Sequence, residues 1–188
     1  MPRRPSFLPT CSAAALVFLA APVAQAFERQ WHAGVDGGYA SLFDDNAVSG
    51  FGGGLHLGYG LSDVFNALVE LDVTRHPGAG TAGVTMWSGG AGVAYTLDVA
   101  RAVPYGGLLL GGYRVNGQLC KLSPEGDQLC AGPLNAVGLQ FVLGLDYQLE
   151  RNWAIGAQLR MHTIFAAEPV GVLAYATTFL RVEYLWGF

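Results

Sequence analysis

The chain has 188 residues, enough for one domain, and 52% of them are hydrophobic while only 13% are charged, about half the charged share of an average soluble protein. Its net charge of −4 argues against nucleic acid as a partner. Beyond the N-terminus, Gly, Asp, Arg and Gln interrupt every apolar segment, so no run of about 20 apolar residues offers a membrane helix; if the chain crosses a membrane, a closed barrel is the remaining way to satisfy its backbone in lipid.

The first segment, residues 1–26, reads as a cleaved signal peptide. Arg3 and Arg4 open it, Ser12 to Val23 is apolar, and Ala24-Gln25-Ala26 is an A-x-A cleavage site. The mature chain, residues 27–188, then begins at Phe27. Without Arg3 and Arg4, eight basic residues face fourteen acidic ones and the net charge becomes −6. Cys11 lies before the apolar stretch and does not read as a lipidation site.

Eight segments with a period of two follow, as alternate residues of a strand point to opposite faces. Trp31, Val35 and Tyr39 alternate with His32, Asp36 and Gly38. Phe51, Leu55 and Leu57 alternate with Gly52, Gly54 and His56, and Val69, Leu71 and Val73 with Glu70, Asp72 and Thr74. Trp87, Val93 and Tyr95 alternate with Ser88, Gly90 and Thr96. In the fifth segment Tyr105, Leu109, Tyr113 and Val115 are assigned to the apolar face, and Gly106, Gly112 and Arg114 to the polar one. Val137 to Tyr147 alternate with Gln140, Gly144 and Asp146, and Trp153 to Met161 with Gln158, Arg160 and His162. In the last segment Val172 to Phe188 oppose Arg181, Glu183 and Gly187. An even number of strands suits a bacterial membrane barrel. The expected fold is an all-β, eight-stranded antiparallel up-and-down transmembrane β-barrel.

Short turns are expected near Leu61–Asn66, Asp98–Ala102 and Glu150–Asn152. Longer links are expected near Leu42–Gly50, His76–Ala82, Asn116–Pro133 and Ala166–Gly171. Short periplasmic turns and longer external loops place both termini in the periplasm. Trp31, Tyr59, Tyr95, Tyr105, Tyr147, Trp153, Trp186 and Phe188 are expected in a periplasmic aromatic girdle, with Tyr39, Phe51, Trp87 and Tyr113 near the outer one. A soluble ligand-binding barrel would show the same alternation with its apolar face inward. The Gly-rich polar set, the aromatic strand ends and the final Phe188 favour the membrane barrel.

The closing run Leu180-Arg-Val-Glu-Tyr-Leu-Trp-Gly-Phe188 resembles the terminal strand signal of Gram-negative outer-membrane barrels. Gly144 to Gly156 resembles a strand–turn–strand unit of the small barrels similar to the outer-membrane protein A transmembrane domain, and the likeness spans residues 27–188. It implies that Tyr184, Trp186 and Phe188 are read by the barrel assembly machinery. It also implies outer-membrane lipid and lipopolysaccharide as surroundings, with envelope proteins as possible partners. Fold alone does not set function.

By register the lumen is expected to hold Asp36, Glu70, Asp72, Arg114, Asp146, Arg160, Arg181 and Glu183. Asp36, Glu70, Arg160 and Arg181 fall near mid-height. These charges form either a gate that exchanges partners or a static plug. His32, His56 and His162 also face inward, at different heights, so no metal site is expected, and no cofactor. Lipid A deacylases are of similar size and use a His-x-Ser pair; here His162-Thr163-Ile164 has Ile at the nucleophile position, so no catalytic residue is expected. Cys120 and Cys130 are an even pair in an exported chain, the setting in which a disulfide forms. It would close an external loop through Lys121, Ser123, Pro124, Glu125, Gly126, Asp127 and Gln128. Three roles are expected to compete. The leading one is a structural or interaction barrel anchoring a cell-envelope assembly for secretion, motility or adhesion. A narrow porin-like channel is the second, and a lipid-modifying enzyme the third.

Overall fold

The computed structural model describes residues 29–43, 48–77, 79, 83–97, 100–117, 119–122, 128–167 and 171–187. The expected signal peptide, the first two residues of the expected mature domain (27–188) and Phe188 lie outside them. Period-two alternation resolves into β1 (Trp31–Phe43), β2 (Val48–Gly60), β3 (Phe65–His76), β4 (Val84–Thr96), β5 (Ala102–Asn116), β8 (Leu134–Glu150), β9 (Trp153–Phe165) and β10 (Val172–Trp186). These eight strands close one antiparallel barrel in chain order, and β10 pairs back onto β1 from Trp31↔Trp186 to Phe43↔Ala174. Two short strands, β6 (Leu119–Leu122) and β7 (Gln128–Ala131), form a separate hairpin between β5 and β8. Barrel strands of 12 to 17 residues exceed the 9–11 that a tilted strand needs to cross lipid. The wall therefore extends beyond the hydrocarbon, most of all at β8, which with β5 carries the hairpin.

Which face points inward is decided by exposure. Leu110 and Leu180 are 73% and 72% exposed, whereas Glu70 is 0% and Arg160 1% exposed. Large apolar side chains cover the outside and charged ones fill the inside, the reverse of a soluble barrel. Trp153, Tyr184, Trp186, Trp31 and Tyr59 form a continuous aromatic band across β9, β10, β1 and β2, with centroid spacings of 4.6 to 6.4 Å. This end, where the described chain starts and finishes, is called the terminal end below; the opposite one is the loop end.

Two expectations need correction. The first link is only the four residues 44–47, because Ser41, Leu42, Val48 and Ser49 still pair between β1 and β2. More consequentially, β5 faces the other way. Leu109, Tyr113 and Val115 are buried in the lumen, and Leu108, Leu110 and Arg114 point outward. Tyr105 also turns inward, where its hydroxyl meets Gln158 and Arg181. A one-residue change of phase moves a whole strand's side chains to the opposite face. The run Leu108-Leu109-Leu110 gives both faces a leucine, so the periodicity of β5 does not fix its phase. Packing does: Leu109 fills a space among Leu68, Ala94 and Val142.

Candidate functional site

The inward charges converge at mid-height. Arg160 on β9 reaches three carboxylates: its Nε lies 2.9 Å from Glu70 Oε2, its Nη2 lies 3.4 Å from Asp36 Oδ2, and its Nη1 donates to Asp72 Oδ2. Arg181 on β10 pairs through Nη2 with Glu183 Oε1, and its Nε lies 3.7 Å from Asp36 and 3.8 Å from Asp146. Its Nη1 donates to the Tyr105 hydroxyl and, at 2.9 Å, to Gln158 Oε1. Gln158 Nε2 donates in turn to Glu70 at 3.0 Å. Asp36 joins the two arginines, so five carboxylates share two guanidiniums.

Of the residues expected in this network, Asp36, Glu70, Asp72, Asp146, Arg160, Arg181 and Glu183 meet in the lumen, and Arg114 does not, for the reason given for β5. His56, Gln158 and Tyr105 join without having been expected. His56 stands between two carboxylates, with Nδ1 3.0 Å from Asp36 and Nε2 2.8 Å from Glu183. Carboxylates only accept, so a ring carrying hydrogen on both nitrogens serves both. His32 lies 3.7 Å from the same Glu183. The two histidines expected at different heights thus share one carboxylate. The pairing Gly34↔His56 explains the fit: a Cβ on Gly34 would fall 2.6 Å from the imidazole. Glycine there leaves the ring its space.

Both ends of the network are closed. At the loop end Leu42, Val84, Met86, Tyr113, Val115, Ile164 and Tyr175 form an apolar cap. His162 is stacked on Tyr175 at 3.9 Å and receives or donates a bond at 3.2 Å from the Tyr113 hydroxyl. Ile164 belongs to the same cap. Tyr175 donates to Ser88, which donates to Asp72, each at 3.4 Å; the cap and the ions are thereby tied together. At the terminal end Val103, Ala154 and Leu185 pack beside a cavity of about 20 Å³, room for about one water. Among the described residues the ions are held in place between the cap and this cavity. Among the described residues no group of three or more His, Cys, Asp and Glu side chains is placed to hold a metal ion.

Cys120 and Cys130 lie directly opposite one another in the β6–β7 backbone register; residues 123–127 of the expected loop fall outside the described chain. Tyr184 and Trp186 stand on the outward face of β10.

The profile of the outer membrane protein β-barrel domain matches residues 11–182. No curated protein matches the chain in sequence. Among solved structures it is similar to Neisserial surface protein A, with 18% identity and a TM-score of 0.63 over 84% of this chain and 97% of that one. It is also similar to Ail, the attachment invasion locus protein of Yersinia pestis, with 15% identity and a TM-score of 0.54 over 85% and 99%. Outer membrane protein OprG from Pseudomonas aeruginosa gives 13% and 0.51 over 87% and 100%. At these identities the likeness is one of fold.

Proposed function

The chain belongs to the outer membrane protein β-barrel domain family, and from that premise we propose that it is a sealed barrel with a structural or interaction role, an anchor or subunit of a cell-envelope assembly. The observation that carries this reading is the filled lumen: an apolar cap, an ion network and a small apolar floor follow one another along the bore. Breaking such a network for each passing ion would leave buried charges unpaired, at about 3–5 kcal/mol each time. The loop end faces outward and both termini lie in the periplasm, in keeping with the length of the β5–β8 connection. Interaction then falls to the outer wall and the loops. The C-terminal strand, through Tyr184 and Trp186, engages the assembly machinery, and residues 1–26 are removed on export.

Single-channel recording on the refolded protein, beside Arg181→Ala, tests this reading. A silent membrane is expected from the wild-type chain, with folding checked by the gel shift between unheated and boiled samples. Stable wild-type openings that change in Arg181→Ala would replace the anchor with the channel reading.

The same reading includes a disulfide between Cys120 and Cys130. Opposed residues of an antiparallel pair have Cα atoms about 4.5–5.5 Å apart, inside the range a disulfide spans, and these two are opposed. It would contribute roughly 2–3 kcal/mol by restricting the unfolded loop. Exported, unreduced protein is expected to resist thiol labelling at both positions.

A further inference from the structure

The outer wall carries a groove of about 630 Å³ across β2 to β5, the size of an ordinary ligand cleft. Strand register produces it. One outward row reads Gly53, Val73, Trp87 and Arg114, and the next Leu55, Leu71, Gly89 and Gly112. Three of these eight positions have no side chain, and a Cβ on Gly112 would touch nothing within 4 Å. The remaining apolar residues form the banks.

Charge marks one end. Arg114 lines the groove beside its pairing partner Trp87. Arg75, one row nearer the loop end, points outward and donates from Nη1 to Thr85 Oγ1 at 2.8 Å. The two arginines are two strands and one row apart, about 10 Å across the sheet and about 7 Å along it, roughly 12 Å in all by backbone spacing. Among the described residues, every other arginine lies in the lumen (Arg160, Arg181) or at the terminal end (Arg29, Arg101, Arg151). An arginine on the lipid face costs about 2–4 kcal/mol at the midplane and about 0–1 near the interface. Its position beside Trp87 therefore sets this row at headgroup level.

We propose that the groove binds one acyl chain of a phosphorylated glycolipid of the outer leaflet, lipid A, with Arg114 and Arg75 on its phosphates. The inference rests on the outward orientation of the loop end proposed above. An apolar slot open to the membrane takes an alkyl chain without desolvating polar groups, and guanidinium binds phosphate through charge-assisted, often bidentate bonds. Two cations roughly 12 Å apart by backbone spacing suit a headgroup with more than one phosphate better than a zwitterionic phospholipid.

Native mass spectrometry of the delipidated, refolded chain in detergent tests this. The probes are bisphosphorylated lipid A, its dephosphorylated form, and phosphatidylethanolamine of matched chain length. Wild type is expected to retain one bisphosphorylated lipid A at least tenfold more tightly than phosphatidylethanolamine. Gly112→Leu fills the groove and is expected to weaken that binding at least tenfold. Arg114→Ala is expected to weaken the bisphosphorylated probe several-fold and to leave the dephosphorylated one unchanged. Unchanged retention by a folded Gly112→Leu, equal retention of all three probes by wild type, or a wild-type dimer that Gly112→Leu dissolves would each overturn the proposal; the last would assign the groove to a second copy. Should Gly112→Leu fail the gel-shift test for folding, the Arg114→Ala comparison decides alone. The orientation is read separately, by labelling a cysteine placed at the loop end on intact cells, so the two readings fail independently.

Discussion

The two halves of the barrel wall are built on opposite plans. On β1, β2, β3, β9 and β10 the inward positions carry the ions: His32, Asp36, His56, Glu70, Asp72, Arg160, Arg181 and Glu183. On β4, β5 and β8 they carry mostly small or apolar residues, among them Gly90, Ala94, Leu109, Gly111 and Val142, with Asp146 of β8 the charged exception. Length explains the division, since an eight-stranded barrel holds only its own side chains. Where one wall sends long charged groups across the bore, the other must retreat. The comparison teaches that here a glycine opposite a charge belongs to the site as much as the charge does.

The comparison is broken most forcefully from the charged side. Arg160→Ala leaves Glu70, Asp72 and Asp36 without their shared cation and is expected to cost about 3–5 kcal/mol, read as a fall in the urea midpoint at constant slope. Arg160→Lys should recover part of it. On the apolar side Leu109→Ala opens a hole among Leu68, Ala94 and Val142. The expected cost is about 2–3 kcal/mol, toward the low end for a buried leucine because the neighbours are small, measured the same way. Neighbouring glycines then sharpen the contrast. A Cβ on Gly111 would fall 2.8 Å from Gln140 and 3.0 Å from Tyr113, so Gly111→Ala should destabilise by about 1–2 kcal/mol through overpacking. Gly112→Ala meets nothing and should be neutral or stabilise by up to about 0.5–1 kcal/mol, because glycine is a poor residue inside a strand. Two adjacent residues with opposite signs would locate the two faces of β5 without any structure.

Much of this was legible in the sequence where chemistry differed strongly between faces. In β3, β9 and β10 one face carries clustered polar residues (Glu70 and Asp72, Gln158 and Arg160, Arg181 and Glu183) against an apolar opposite face, so the phase was readable, while the inward direction rested on the Gly-rich polar set and the aromatic strand ends. β5 was not readable, because leucines and glycines occupy both faces; Arg114, Tyr105 and Tyr113 were misplaced together. The partners of the network were hidden for a different reason. His56 reaches Asp36 across the β1–β2 pairing, 20 positions away, but it meets Glu183 only through the closure of β10 onto β1, a contact between residues more than a hundred positions apart. The groove likewise depends on Gly89 and Gly112 pairing across β4 and β5, with Gly53 one row away on β2. Composition announces many glycines but not their alignment.

That alignment has a mechanical side. Gly89 pairs with Gly112 and Gly90 with Gly111, so for two successive rungs the wall between β4 and β5 consists of bare backbone, with side chains on neither surface. Side chains over most of the wall resist bending of the sheet, and bare rungs recur between β1 and β2, where Gly37 faces Gly53 and Gly38 faces Gly52. At these rungs only the ladder of amide bonds does, and it permits rotation about the strand axis. The barrel therefore has short creases, each two rungs long, between β4 and β5 and between β1 and β2, the places where its circular cross-section would flatten first under lateral pressure from the membrane.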